Sequence, residues 1–224
     1  MRYQSQIQSG TTLVEILVAM TMAGIVAAAI TTIFQVHQRL AMKQEEATLM
    51  QQELLAATSQ IAEELRMCGY SPTGAPGFGF KHMPSSGAPD YGRATNATSV
   101  YCTLDFKGDG KVDESGSGSL WDHAGFRLNT LNSGAAKSVP DNVMRKYDTG
   151  TVRWQPLYTN IGDLRFAYFD AKGELIDDPG EHTARIRMVE IRITAVPSPG
   201  RAGLGIGNRT MKTRVVCRNV ALLR

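Results

Sequence analysis

One carboxylate stands where charge is expensive. Glu15 lies within the run Thr11-Thr12-Leu13-Val14-Glu15-Ile16-Leu17-Val18-Ala19, and from Thr11 to Phe34 the chain carries no other charged side chain. About 20 apolar residues suffice to cross a bilayer as a helix, and an ionisable group inside hydrocarbon costs roughly 3 kcal/mol on insertion scales. Glu15 therefore calls for a cationic partner and a role. A second carboxylate set runs from Asp105 to Glu114, with Asp105, Asp109 and Asp113 at the first, fifth and ninth positions of a calcium-loop pattern and Gly110 at the sixth. Lys107 and Gly116 occupy the third and twelfth positions, where oxygen ligands belong. Calcium held by Asp105, Asp109, Asp113 and Glu114 with carbonyls and water is one reading; the preferred one is an Asp-Gly turn between two strands.

The remaining reactive side chains give less. Cys68, Cys102 and Cys217 allow one disulfide and one thiol left over if the bulk of the chain lies outside the cytoplasm. Cys102 and Cys217 sit in strand-like segments and form the preferred pair, with burial of all three as small apolar residues the alternative. His37, His82, His123 and His182 have no metal-ligand spacing, no recognised nucleophile motif stands beside them, and no glycine-rich phosphate loop follows a strand. Neither an enzyme nor a cofactor, calcium apart, is expected. Basic residues cluster late at Arg185, Arg187, Arg192, Arg201, Arg209, Lys212, Arg214, Arg218 and Arg224. Without interleaved aromatic stacking residues they read as a solvated strand face or subunit contact in preference to a DNA-binding strip.

The elements that carry these residues follow from periodicity. At 224 residues and net charge +3, the chain has room for one membrane helix and one globular domain. Val36, Leu40, Ala47, Met50, Leu54, Ala57, Ile61 and Leu65 continue an apolar stripe at mostly three- and four-residue steps, with no proline between Thr11 and Met67. One long helix is predicted, ending at Gly69-Tyr70-Ser71-Pro72, where glycine can turn left-handed and proline cannot continue. Residues 69–150 are rich in Gly, Pro, Ser, Asn and Asp and read as a loop-rich insert with short strands at Ser99–Phe106 and Gly125–Leu128. Alternation at Leu164-Phe166-Tyr168, Val189-Ile191-Ile193 and Met211-Thr213-Val215-Cys217 predicts half-buried strands of an antiparallel sheet in 151–224. The fold class is α+β, a helical stem with a sheet-bearing head.

The stretch from Gly10 to about Phe34 resembles the class III signal of type IV pilins and type II secretion pseudopilins. A cleavable secretory signal has charge first, then an apolar core, then a small-residue site; here the polar leader Met1–Gly10 precedes the core and no such site follows Phe34. The resemblance implies a prepilin leader over 1–10, cleavage between Gly10 and Thr11 by a prepilin peptidase, and N-methylation of Thr11. The family usually has phenylalanine at that position. It further implies a transmembrane or filament-core helix over 11–34, an exposed amphipathic half over 35–68, and pairing of Glu15 with the Thr11 amine of a neighbouring subunit.

More loosely, Arg66–Gly74, Ile161–Asp170 and Thr213–Val220 resemble PilW-type minor pilins and J-type pseudopilins. What this implies is a minor pilin held in the inner membrane with its head in the periplasm, then extracted by an assembly platform into a filament with other major and minor pilins. The bulky head fits a low-copy initiating or tip subunit. The rival expectations are a pseudopilin of a type II secretion system and, of another class, a membrane-anchored calcium-dependent adhesin or DNA receptor.

Overall fold

A computed structural model describes residues 12–83, 94–112, 122–128, 144–148 and 153–222, with backbone only at 144–148, 153, 221 and 222. The predicted helix is continuous from Leu13 to Met67 (α1). Gly69 ends it with φ 77°, and a Cβ there would come within 2.9 Å of the Val220 side chain. Both the left-handed turn and the close approach require glycine.

The chain divides into two compact units, Met1–Glu45 and Glu46–Arg224. In the first, the apolar side chains of α1 are exposed around the whole circumference, Leu13, Val14, Leu17, Met20, Ile25 and Ile30 among them. By length and composition this helix could cross a membrane. The hydroxyls of Thr21, Thr31 and Thr32 donate to the carbonyls of Val18, Ala27 and Ala28 at 2.7–2.9 Å, so the helix satisfies them internally. Burial starts only at Glu46. Val36 and Leu40, expected in the stripe, are exposed, whereas Met50, Leu54, Ala57, Ile61 and Leu65 are buried as predicted.

The second unit holds two antiparallel sheets where the sequence led us to expect one. Gly79–Phe80 (β1), Ser99–Thr103 (β2), His123–Leu128 (β3), Met144–Asp148 (β4) and Arg153–Tyr158 (β5) pair in chain order to form the first. Ile161–Phe169 (β6), Met188–Ala195 (β7) and Arg209–Val216 (β8) form the second, again neighbour to neighbour. The segment expected as a loop-rich insert thus supplies four of the five strands of a sheet, and the boundary expected at 150 falls between two paired strands. The short strands expected at Ser99–Phe106 and Gly125–Leu128 fall on β2 and β3; β1, with two residues, carries no alternation to read, and turn-forming neighbours dominate its local signal.

Cross-strand rows of the second sheet explain its burial. Leu164, Ile193 and Met211 share one row; Tyr168, Val189 and Val215 share another. These side chains belong to one core with Met50, Leu54, Ile61 and Leu65 of α1 and with Phe80, Val100, Cys102 and Phe126 of the first sheet. Hydrogen bonds join the sheets as well. The Tyr168 hydroxyl donates to the carbonyls of Asn96 (3.0 Å) and Ser99 (2.9 Å), and the Phe166 amide donates to the Ala97 carbonyl at 2.8 Å. Arg218–Leu222 (α2) closes the chain, and the Asn219 amide side chain donates to the Arg66 carbonyl at 2.9 Å, one of the acceptors left open where α1 ends.

Candidate functional site

Glu15 lies in the first turn of α1, its backbone amide donating to the Thr12 carbonyl at 3.0 Å and to Thr12 Oγ1 at 3.3 Å. Thr12 is therefore a helix N-cap, and Thr12-Leu13-Val14-Glu15 matches the S/T-x-x-E capping pattern. The four-residue signature is legible in the sequence alone. A carboxylate in the first turn also meets the positive end of the helix dipole. Glu15 follows Leu13 and Val14 near the start of the apolar run, with Ile16 onward beyond it. Gly10 and Thr11, the expected cleavage pair, lie outside the described residues.

The Asp105 loop is organised around its own amides. Asp105 is buried, and its carboxylate accepts from the backbone N–H of Gly108 (2.7 Å) and Gly110 (3.1 Å) and from the hydroxyls of Ser71 (3.2 Å) and Thr73 (3.5 Å). Gly108 and Gly110 take φ 74° and 72°, which lets the chain wrap round the carboxylate. Asp122, also buried, accepts from the Phe106 amide at 2.9 Å, and Asp109 caps the Lys111 amide at 2.9 Å. Among the described residues no group of three or more His, Cys, Asp or Glu is placed to hold a metal ion; Asp113 and Glu114 lie outside them. The arrangement is a carboxylate-centred turn that fastens the segment after α1 to the end of β2.

The expected Cys102–Cys217 disulfide is not formed: Cys68, Cys102 and Cys217 are free thiols, all buried. All three belong to one core. Spacing along the chain gave no sign that the last turn of α1 would meet β2. The Gly69 amide donating to the Thr103 carbonyl at 3.0 Å is what brings them together. Burial pushes the Cys68 thiol well up, and the neighbouring Cys102 adds to the effect; burial likewise pushes Cys217 up to about 12.

Glu46 was unremarkable in the sequence, yet it is buried where α1 enters the second unit. It accepts from the Ser198 hydroxyl at 2.6 Å and the Ser198 amide at 2.8 Å, with Arg201 at 3.6 Å. The Ser198 hydrogen bonds hold its carboxyl below the ordinary value against the opposing effect of burial, and the Arg201 charge assists.

Several of the late basic residues have acidic or carbonyl partners. Arg185 meets Asp170 at 3.4 Å, Arg187 donates to the carbonyls of Ala184 and Ile186, and Lys212 and Arg214 both clamp Glu190 at 2.9 Å. Burial pushes Glu190 up, but these two cations outweigh it and keep the carboxyl below its ordinary value. Arg214 also lies over the Phe169 ring, 4.5 Å from its centre. Arg224 lies outside the described residues. Of the histidines, His123 pairs through Nδ1 with the Tyr101 hydroxyl, and His82 Nδ1 lies 3.0 Å from the Thr95 carbonyl.

No family model, curated protein or solved structure matches this chain.

Proposed function

We propose that the protein is a minor pilin of a type IV pilus, cut between Gly10 and Thr11 by a prepilin peptidase, N-methylated at Thr11 and inserted into a filament through α1. The observation that carries this reading is the N-terminal half of α1, apolar on every side, with a single carboxylate in its first turn. A helix apolar all round needs either lipid or other helices to cover it, and a filament protein meets each in turn: lipid before assembly, packed helices after it. The internally bonded threonine hydroxyls suit both surroundings. On this reading Glu15, near the start of the apolar run, meets the Thr11 ammonium of an adjacent subunit and so sets the register of one helix against the next.

On this reading the head resides in the periplasm before assembly, and the partners are other major and minor pilins and the inner-membrane assembly platform. For the calcium-dependent alternative, Asp105 is engaged with two backbone amides and two hydroxyls. The DNA-receptor alternative loses support from the acidic and carbonyl partners of Arg185, Arg187, Lys212 and Arg214. Expression of Glu15→Ala in a cell with the assembly machinery tests the proposed role. Cleaved protein that stays in the membrane fraction is the expected result; filaments that incorporate the variant at the wild-type level would contradict it.

A further inference from the structure

Among the described residues β1 pairs with β2 alone, so it is an edge strand. The Lys81 amide donates to the Tyr101 carbonyl at 3.1 Å, and Gly79 is bound through its amide and its carbonyl to the Thr103 hydroxyl at 3.2 and 3.3 Å. Antiparallel strands alternate between residue pairs that exchange hydrogen bonds and pairs that do not. Phe80, opposite Cys102, is of the second kind, and its N–H and C=O point away from β2. A half-open cleft of about 400 Å3 lies against β1, and no residue of β2 contributes to its wall. Phe78, Phe80 and Lys81 line it from the β1 segment, Thr183 and Ala184 from the short turn Thr183–Arg185, and Val220 from α2.

The cleft joins an apolar floor to a few polar groups. Phe78, Phe80 and Val220 are buried, and Gly74 and Gly77 leave part of the wall as bare backbone, where an added Cβ would meet nothing within 4 Å. Lys81 is the one charged residue of the lining; it is half-buried, and its ammonium has no ion pair among the described residues. An edge with unpaired N–H and C=O groups is a template for another strand, and sites of this kind draw affinity from main-chain hydrogen bonds and specificity from pockets for side chains. The volume has room for a short peptide segment and not for a folded domain.

We infer that this cleft binds an extended segment of a partner protein, which adds to the free edge of β1. One residue of the segment exchanges both main-chain hydrogen bonds with Phe80, an apolar side chain packs among Phe78, Phe80 and Val220, and a neighbouring carboxylate meets Lys81. The unpaired cation selects an acidic segment over a basic one. The cleft would work in the same way on a filament subunit or on an anchored head.

Titrating the full chain in detergent against blocked, fluorescently labelled tetrapeptides of alternating valine and threonine that end in aspartate, serine or lysine tests this by fluorescence anisotropy. The aspartate peptide is expected to bind saturably and about three- to fivefold more tightly than the serine peptide, the scale of one partly exposed ion pair, with the lysine peptide weakest. Lys81→Glu should reverse that order. Methylating the peptide's backbone amides one at a time should weaken binding about tenfold, and only at alternate positions, because every second residue faces the strand it pairs with. Ala184→Trp, at an exposed position on the cleft wall, should abolish binding while the circular dichroism melt stays that of wild type; if it does not fold, Lys81→Glu and the methylation series decide. No saturable binding by any of the peptides, equal losses from methylation at every position, or full binding by folded Ala184→Trp would overturn the site.

Discussion

Replacing Glu46 should weaken the hold of the 198–201 turn on α1 by an amount that depends on pH. Its carboxylate takes two hydrogen bonds from Ser198, at 2.6 and 2.8 Å, and faces Arg201 at 3.6 Å. A hydrogen bond to a charged group contributes roughly 1.5–3 kcal/mol, and the partly exposed Arg201 adds about 0.5 kcal/mol. These contributions are not additive, so Glu46→Ala should cost about 2–3 kcal/mol and Glu46→Gln, which keeps an acceptor, about 1–2 kcal/mol. For a domain of this size each kcal/mol moves Tm by about 2–4 °C, giving a drop of roughly 5–10 °C for the alanine variant at pH 7. The folded carboxyl lies below its ordinary value of 4.5. Its contribution is therefore present in full above that value and is lost as pH falls through the lower, folded one. Glu53 works the other way: burial and then the charge of Glu46 raise it, so it lowers stability above its folded value and relieves that cost on acidification. Glu46→Gln should remove the first effect and reduce the second. Thermal unfolding of the full chain in detergent, followed by circular dichroism from pH 3 to 7, reads both. A Tm unchanged at pH 7, or variant and wild-type curves that stay parallel down to pH 3, would refute the reasoning.

Two further substitutions test the head. Asp105→Ala removes the acceptor of the Gly108 and Gly110 amides and of two hydroxyls; chemical denaturation should show a loss of about 3 kcal/mol, and a loss below about 1 kcal/mol would mean that water replaces the carboxylate freely. Gly125→Ala would put a methyl 2.9 Å from the Tyr101 ring, 3.0 Å from Trp154 and 3.2 Å from the Val100 carbonyl. Overpacking of this kind costs about 1–3 kcal/mol, so a melting temperature within 1 °C of wild type, on the scale of about 2–4 °C per kcal/mol, would show that the ring pair yields.

The long helix was legible because its signal is repeated many times: five buried residues of the second half, Met50, Leu54, Ala57, Ile61 and Leu65, are members of the stripe read from spacing alone. The strands of the second sheet were legible for the same reason, with Leu164, Val189, Ile191 and Ile193 all buried. Of the first sheet, the strands at Ser99–Thr103 and His123–Leu128 were legible as short apolar runs, whereas Gly79–Phe80 has only two residues and its pairing, with Phe80 opposite Cys102, is a contact between distant segments. Long-range geometry likewise places the three cysteines in one core and turns Glu46, a polar helix residue in the sequence, into a buried acceptor. The amides that Asp105 accepts depend on the positive φ of Gly108 and Gly110, which an Asp-Gly turn suggests but spacing alone does not fix, and the capping pattern at Thr12 is a local signature present in the sequence.

The measurement closest to the central claim is the intact mass and N-terminal sequence of the chain expressed with and without a prepilin peptidase. The account predicts a chain that begins at an N-methylated Thr11 only when the peptidase is present. A chain that keeps Met1–Gly10 in both strains would contradict it, and α1 would then be a membrane anchor for a head whose activity lies elsewhere.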